Sequence, residues 1–271
     1  MKSSRNRTQD SQPTLRTASI GIDIGSTATK VALMADGELL DTFLMPTGFS
    51  SVDASDRVAR EVVARGFSLE GSTVVATGYG RVAVPYAHKA VTEITCHGLG
   101  AWHLFGTDGT VIDVGGQDTK IIQVAGGKVR KFVMNNKCAS GTGKFLELMA
   151  DRMGVSQSTL SELAKAGDPT PITSVCTVFA DSEVVSLIGR GEPLENIANG
   201  IVESVVSRVS ALVGQLRSAE YFLTGGLCDN AYVVERLSAH LGAPVHTVEH
   251  ARYAGAIGAA LSAGDGAAAE A

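Results

Sequence analysis

Several features that would place this chain in a membrane, outside the cell or on nucleic acid are absent from its sequence. No apolar run approaches the roughly 20 residues that a membrane-spanning helix needs. The polar residues 1–17 lack the apolar core of a signal peptide. The net charge is −5 and basic residues are scattered, so the basic patch typical of nucleic-acid or anionic-membrane binding is missing. We therefore expect a cytoplasmic protein without either partner.

The chain also lacks a C-x-x-C pair, the spacing typical of zinc ribbons and thioredoxin-type redox sites. Its four cysteines, Cys96, Cys138, Cys176 and Cys228, stand far apart. In a reducing cytosol such cysteines are either buried apolar residues or metal ligands. Cys96, with the adjacent His97, and Cys228 are expected to be ordinary core or turn residues.

A Walker phosphate loop is missing as well, although NNKCASGTGKFLELM, residues 135–149, resembles one. The Walker pattern is Gly-x4-Gly-Lys followed by Ser or Thr. Here Cys138 occupies the position of the first glycine, and Phe145 follows Gly143-Lys144. The cysteine at this glycine-rich turn therefore needs its own explanation.

Two segments 90 residues apart repeat one pattern, IGIDIGSTATKVAL from residue 20 and VIDVGGQDTKIIQV from residue 111. Each has an apolar strand, Asp-apolar-Gly, a short polar turn, Thr-Lys and a second apolar strand. The identities at this offset are Asp23/Asp113, Gly25/Gly115, Thr29/Thr119 and Lys30/Lys120. We predict a β-hairpin with a glycine-rich turn, used twice. Two unrelated hairpins with common turn residues are the alternative.

Such turns let backbone N–H groups approach an anion closely and form a nest for phosphate. An Asp at the end of the first strand can hold Mg2+ through water. A third turn, in YFLTGGLCDNAYVVERL, predicts a strand, the Gly225-Gly226 turn and a helix from near Asn230. Paired glycines let a flat ring lie against the backbone, although an ordinary strand-to-helix connection fits this segment equally well.

The remaining pattern predicts an α/β protein of two similar lobes with a cleft between them. Apolar residues recur on one side of residues 194–216, which indicates a long half-buried helix. Residues 252–262 predict a helix of small residues that packs closely. With 271 residues and 44% apolar side chains, the chain can bury one large core or two small ones.

These motifs resemble the two phosphate motifs and the adenosine motif of the acetate kinase, sugar kinase and actin superfamily. More narrowly, GIDIGSTATK, ATGYGR, VTEITCH, DVGGQDTK, NNKCASGTGKFLE, CTVFADSEVVSL and YAGAIGAAL resemble the activators of 2-hydroxyacyl-CoA dehydratases and the related ATPase subunits of benzoyl-CoA reductases, the BadF/BadG/BcrA/BcrD ATPase family. The resemblance runs from about residue 20 to residue 261. The chain departs from the family pattern at Asn136, Asp181 and Ala251-Arg252, where Asp, Glu and Pro-Gln are more usual.

The resemblance implies an actin-like (ribonuclease H-like) duplicated ATPase fold with a nucleotide cleft. Lobe I would comprise residues 18–106 and 251–263, and lobe II residues 107–250. Residues 1–17 and 264–271 are expected to be disordered tails.

The resemblance also implies that ATP or ADP binds with Mg2+ between the lobes. Asp23, Asp113 and Gln117 would be the catalytic residues, with Gln117 or Asp118 orienting the attacking water. Lys30 and Lys120 would contribute charge or face solvent. The nucleotide contacts would be Asp23, Ile24, Gly25, Ser26, Thr27, Lys30, Gly115, Gly116, Gln117, Asp118, Gly225, Gly226 and Asn230.

Cys138 and Cys176 each precede a predicted helix, one beginning near Gly141 and the other at Thr177. A thiolate at a helix N-terminus is stabilised by the helix dipole and by free N–H groups, which favours metal binding. Two thiolates do not satisfy an iron–sulfur cluster, which normally takes four, and from spacing alone both could be buried structural cysteines. A two-fold homodimer would supply four, and the resemblance implies one 4Fe-4S cluster on its axis.

The activity that the resemblance implies is ATP-dependent delivery of a low-potential electron, received from ferredoxin or flavodoxin, to a 2-hydroxyacyl-CoA dehydratase or related reductase. A cluster exposed at a dimer axis would be oxygen-sensitive. A dehydratase activator and a benzoyl-CoA reductase subunit both fit the sequence. A sugar or acid kinase would instead phosphorylate a small substrate and contain no iron, and an actin-like structural ATPase would polymerise with nucleotide.

Overall fold

The computed structural model describes residues 15–264. Residues 1–14 and 265–271, which include most of the two expected tails, lie outside the described residues. Arg16 already forms a bridge with Phe67, and its guanidinium lies 4.2 Å from the centre of that ring. Contacts with the first lobe therefore begin before residue 18, the boundary that we expected.

Within the described range, strands and helices alternate in two similar groups. In chain order they are β1 (Ser19–Ile24), β2 (Ala28–Ala35), β3 (Glu38–Pro46), α1 (Ser51–Ala64), β4 (Thr73–Thr77), β5 (Lys89–Ala90), α2 (Glu93–Phe105), β6 (Gly109–Val114), β7 (Thr119–Ala125), β8 (Lys128–Asn135), α3 (Gly143–Met153), α4 (Gln157–Ala166), α5 (Thr177–Gly189), α6 (Leu194–Val213), β9 (Tyr221–Gly225), α7 (Ala231–Leu241), β10 (Val245–His246) and α8 (Ala254–Leu261).

The strands form two five-stranded sheets with the same topology, β3-β2-β1-β4-β5 and β8-β7-β6-β9-β10. In each sheet the first hairpin is antiparallel, and its first strand is parallel to the strand on its other side, β4 or β9. Both predicted hairpins are confirmed. An irregularity in register recurs 90 residues later, between Leu33/Met34 and between Gln123/Val124. The duplication therefore extends through the third strand of each lobe.

The repeat also includes a Thr-Gly turn in each lobe, which lies beyond the repeat that we identified in the sequence. Thr77-Gly78 ends β4 and Thr224-Gly225 ends β9, and both glycines have positive φ, 89° and 80°. A Cβ at Gly78 would lie 2.5 Å from Asp23 Oδ1, and one at Gly225 would lie 2.6 Å from Asp113 Oδ1. Glycine is required in both lobes because the turn backbone packs directly against an aspartate.

Helices α2 and α8 cross between the two sheets. Helix α2 joins β5 to β6, while α8 follows β10 and packs on β1, β2 and β4. The helices approach so closely that a Cβ at Gly258 would overlap the Cys96 carbonyl oxygen, and one at Gly100 would overlap that of Ala254. Small residues therefore set the distance between the lobes at this crossing.

The predicted helices are largely confirmed, with corrections at their ends. Helix α5 begins at Thr177, as predicted, and ends at Gly189. Helix α3 begins at Gly143 rather than near Gly141, because Gly141 has φ 84° and is not helical. Helix α6 ends at Val213, three residues before the predicted Leu216, and Gly214 caps it. None of the helices in residues 15–264 has the length and apolarity needed to cross a membrane.

Replacing Gly258 with alanine is expected to lower the free energy of unfolding by about 1–3 kcal/mol, the usual cost of overpacking. The added methyl group would overlap the Cys96 carbonyl, so the α2–α8 crossing would have to open. Urea unfolding followed by circular dichroism measures the change. Gly189→Ala is the matched control, because a Cβ there would lie within 4 Å of no described atom outside its chain neighbours and its own helix backbone. Equal stabilities of the two variants would contradict the close crossing.

Candidate functional site

A cleft of about 560 Å3 lies between the two sheets and is lined by both glycine-rich turns. Ten of the thirteen predicted nucleotide contacts line it, together with Asp113, which we predicted as a catalytic residue. The ten contacts are Asp23, Gly25, Ser26, Thr27, Lys30, Gly115, Gly116, Gln117, Asp118 and Gly226. The cleft therefore brings together all three predicted catalytic residues, since Asp23 and Gln117 are among the ten.

The three predicted contacts outside the lining are Ile24, Gly225 and Asn230, and each makes other contacts. The buried Ile24 accepts the Gly80 N–H through its carbonyl at 2.9 Å, and Gly225 packs against Asp113. Asn230 caps helix α7, where its Oδ1 accepts the Val233 N–H at 3.1 Å. The Asn230 side chain is therefore used to begin a helix, as in an ordinary strand-to-helix connection.

The two glycine-rich turns have the same internal bond and touch each other. The Gly25 N–H donates to the Ala28 carbonyl at 3.2 Å, and the Gly115 N–H donates to the Asp118 carbonyl at 2.9 Å. A Cβ at Gly116 would overlap Thr27 Oγ1. An anion at this edge of the cleft is therefore within reach of backbone groups from both lobes.

Each turn is followed by a lysine that lies against the aspartate of its own hairpin. Lys30 Nζ is 3.5 Å from Asp23 Oδ2, and Lys120 Nζ is 3.4 Å from Asp113 Oδ2. The hairpin register causes this, because residues directly opposite each other on two strands share one face of the sheet. Both lysine side chains are largely buried. They therefore contribute charge to the cleft. The alternative that these lysines face solvent is wrong, because both are largely buried.

His97, on α2, lies between the two aspartates at the bottom of the cleft. Its Nε2 is 3.9 Å from Asp23 Oδ2, its Nδ1 is 3.4 Å from Asp113 Oδ1, and the residue is 3% exposed. A Cβ at Gly255 would lie 2.7 Å from Nε2. From the sequence we predicted that His97 is an ordinary core residue. Its contact with both aspartates could not be predicted, because it depends on where α2 crosses between the lobes.

Lys120 also binds two further carboxylates, with Nζ 2.9 Å from Glu93 Oε2 and 2.7 Å from Asp118 Oδ1. Burial alone would lower the pKa of Lys120, but Asp113, Glu93 and Asp118 raise it, so the ammonium stays charged. Burial likewise would raise the pKa of Asp113, whereas His97 and Lys120 lower it to about 2. Asp113 is therefore an ionised carboxylate at neutral pH.

The three departures from the family pattern lie in different surroundings. Asn136 and Arg252 line the cleft. Arg252 Nη2 is 2.6 Å from Asp229 Oδ2, which holds the guanidinium beside the third glycine turn. Asp181 forms a surface ion pair with Arg152.

The four cysteines fall into two classes. Cys138 and Cys176 are free and exposed, whereas Cys96 and Cys228 are free and buried. Burial raises the pKa of Cys96 to about 11 and that of Cys228 to about 12, so both are protonated thiols at neutral pH. The expected core or turn role of these two residues agrees with their burial.

The Asn135 side chain makes three hydrogen bonds to the segment with Cys138. Asn135 Oδ1 accepts the Cys138 N–H at 3.3 Å, and Asn135 Nδ2 donates to the Cys138 carbonyl at 2.9 Å and to the Ser140 carbonyl at 3.1 Å. Arg208 is the neighbour of this segment, because a Cβ at Gly141 would lie 3.1 Å from Arg208 Cβ. The conformation of this loop is therefore set by contacts within a single chain.

The segment before Cys176 is held by two helices. Glu183 of α5 accepts the Thr173 and Ser174 N–H groups, both at 2.9 Å, and Arg208 of α6 donates to the Ser174 carbonyl at 2.9 Å. Burial alone would raise the pKa of Glu183, but the hydrogen bonds from Thr173 and Ser174 lower it to about 2. Arg208 therefore lies beside both cysteine segments.

The lowered pKa of Asp113 predicts a specific loss of stability in acid. Its folded pKa, about 2, lies below the unfolded value of roughly 4, so the contribution is present above pH 4 and is lost as the pH falls toward 2. We expect the wild type to lose roughly 2 kcal/mol more than Asp113→Asn across this range. Urea unfolding at several pH values measures it, with exposed Asp168→Asn as control. Parallel curves for wild type and Asp113→Asn would contradict the buried ionised carboxylate.

The sequence is similar to that of known ATPases and their relatives. The chain matches the model of the BadF/BadG/BcrA/BcrD ATPase family over residues 20–263. It is 43% identical to the uncharacterized protein YjiL of Escherichia coli, over 90% of this chain and 95% of that protein. It is 39% identical to the (R)-2-hydroxyglutaryl-CoA dehydratase activating ATPase of Acidaminococcus fermentans, over 90% of this chain and 96% of that protein.

A solved structure shows the same fold. The activator of the 2-hydroxyisocaproyl-CoA dehydratase from Clostridium difficile, with bound ADPNP, superimposes with a TM-score of 0.85 at 34% identity, over 91% of this chain and 94% of that one. The predicted actin-like, duplicated α/β fold is confirmed. With its two turns, buried aspartates and matching relatives, the chain belongs to the BadF/BadG/BcrA/BcrD ATPase family.

Proposed function

We propose that this ATPase is the activator of a 2-hydroxyacyl-CoA dehydratase, a cytoplasmic homodimer bridged by one 4Fe-4S cluster that delivers a low-potential electron. The observation that supports it best is the presence, in one chain, of the ATPase cleft and of two exposed free cysteines before helices. The relative from Acidaminococcus fermentans, which is named as such an activating ATPase, supports the partner enzyme. Ferredoxin or flavodoxin would be the electron donor.

The cleft suits a nucleoside triphosphate with Mg2+. The two turns would hold the phosphates, and Asp23 and the ionised Asp113 would hold Mg2+ through water. Gln117 is exposed in the cleft whereas Asp118 is bound to Lys120, so we assign the orientation of the attacking water to Gln117. Gly226 would face the adenosine. The ADPNP bound to the Clostridium difficile activator supports a nucleotide in this fold.

Cys138 and Cys176 fit a cluster shared by two copies. Both thiols are exposed, and in residues 15–264 no group of three or more His, Cys, Asp or Glu side chains could hold a metal within one chain. Val175, Val178 and Phe179, beside Cys176, are about two-thirds exposed, at 69%, 71% and 67%. A two-fold interface here would bury this apolar surface and bring together four thiolates. A 4Fe-4S cluster supplies one-electron chemistry when it is bound.

Protein purified without oxygen is expected to contain about two iron atoms and two acid-labile sulfides per chain, which corresponds to one 4Fe-4S cluster per dimer. Cys138→Ala and Cys176→Ala should each lose the iron, because each removes two of the four ligands in the dimer. Iron and sulfide assays with size-exclusion chromatography measure both properties.

Cys228→Ala is the control, since this thiol is buried and should leave the iron content unchanged. Absence of iron in the anaerobic parent protein would refute the cluster, and a phosphorylated small product would then identify a kinase. Iron in a stable complex with other chains would instead indicate a subunit of a benzoyl-CoA reductase-type enzyme. A cluster that survives prolonged exposure to air would contradict the exposed site at the dimer axis.

Gln117→Ala is expected to lower kcat for ATP hydrolysis about 100-fold with little change in KM, because a misplaced attacking water costs about this much. A phosphate-release assay at several ATP concentrations separates the two constants. Gln123→Ala, in the strand after the same turn, is the matched control. A change in KM alone would exclude Gln117 from orienting the water.

A further inference from the structure

We propose that Thr142 couples the lobe II nucleotide turn to the segment with Cys138, and that it acts as a positioning residue for this cysteine. The purpose of such coupling rests on the proposed function, in which nucleotide binding alters the surroundings of the cysteines. The contacts themselves belong to this chain alone, so they can be tested without iron.

Helix α3 begins directly on the second glycine-rich turn. The Gly143 N–H donates to the Gly115 carbonyl and the Lys144 N–H donates to the Gly116 carbonyl, both at 2.9 Å. The first N–H groups of a helix have no partner within the helix, and here they take the carbonyls of the turn. A displacement of Gly115-Gly116 by a bound phosphate would therefore pull on the start of α3.

The Thr142 hydroxyl lies between this turn and the cysteine segment. Its Oγ1 is 3.2 Å from the Gly116 carbonyl oxygen and 2.6 Å from that of Ala139, and the residue is fully buried. A hydroxyl has one proton to donate. It can therefore bond strongly to one carbonyl at a time, and movement of Gly116 changes its bond to Ala139.

Thr142 precedes α3 but does not cap it in the usual way. A threonine at this position normally accepts an N–H from the first turn of the helix, whereas Thr142 makes no side-chain cap bond. Its hydroxyl is instead directed to the two carbonyls. From Ala139 the connection continues to Cys138, because Asn135 binds Cys138 and Ser140 on either side of it.

The corresponding turn of lobe I is held differently. The Gly25 carbonyl, the counterpart of Gly115, accepts the Thr47 hydroxyl at 2.8 Å, and Thr47 directly follows β3. The first turn is thus fixed to its own sheet, whereas the second is fixed to the segment between β8 and α3 that includes Cys138. Thr47 therefore provides a matched control for the same kind of bond.

The test compares the alkylation rate of Cys138 in iron-free full-length protein with and without saturating Mg-ADPNP, resolved from Cys176 by peptide mass spectrometry. In the wild type we expect ADPNP to change the rate about fivefold or more, within the usual range of allosteric coupling. In Thr142→Val, which removes the hydroxyl at similar size, the ratio should fall to within about twofold. ADPNP titration of each variant confirms saturation.

Thr142→Ser should restore the nucleotide effect, and Thr47→Val should retain it. Thr142→Ala is a second variant without the hydroxyl, for use if circular dichroism shows that the valine variant is misfolded. The proposal is overturned by an unchanged ratio in the folded Thr142 variants, by an equal loss in Thr47→Val, or by a wild type that does not respond to ADPNP. A Thr142-dependent response in a protein that never binds iron would refute the proposed function and leave this coupling standing.

Discussion

The contact of His97 with Asp23 on one side and Asp113 on the other joins the two lobes, and the elements around it pack closely against these buried side chains. Two carboxylates removed from water are unfavourable unless cations or hydrogen-bond donors compensate them. Each lobe supplies a lysine opposite its aspartate, and α2 supplies the histidine that contacts both. The two lobes therefore meet at the His97 ring, at the bottom of the cleft where the phosphates and Mg2+ would bind.

The small residues of the chain make this cluster possible. Gly78 and Gly225 let turn backbone reach the two aspartates, and Gly255 leaves room for His97. Gly258 and Gly100 let α2 and α8 cross closely enough to bring that histidine between the lobes. These positions have one physical reason in common, which is the close approach of backbone to a neighbouring group.

The duplication is symmetric in the sheets and asymmetric in the segments that leave them. Lobe I passes from β3 through Thr47 into α1, whereas lobe II passes from β8 through the Cys138 segment into α3. A nucleotide between two nearly equal turns would therefore contact one turn that is fixed to its sheet and another that is fixed to the cysteine segment. Because of this asymmetry, nucleotide binding would act on the Cys138 segment through the second turn and not through the first.

The two hairpins, the repeat of Asp, Gly, Thr and Lys, and helix α5 could all be predicted from the sequence, because they depend on local periodicity and on residues close together in the chain. The position of Cys138 and Cys176 before helices could be predicted for the same reason. The place of His97, the burial of the lysines and the contacts of Thr142 could not, since they arise only when the chain has folded. They depend on contacts between segments far apart in sequence. Local sequence patterns do not determine which helix packs between the lobes or which carbonyl accepts a given hydroxyl.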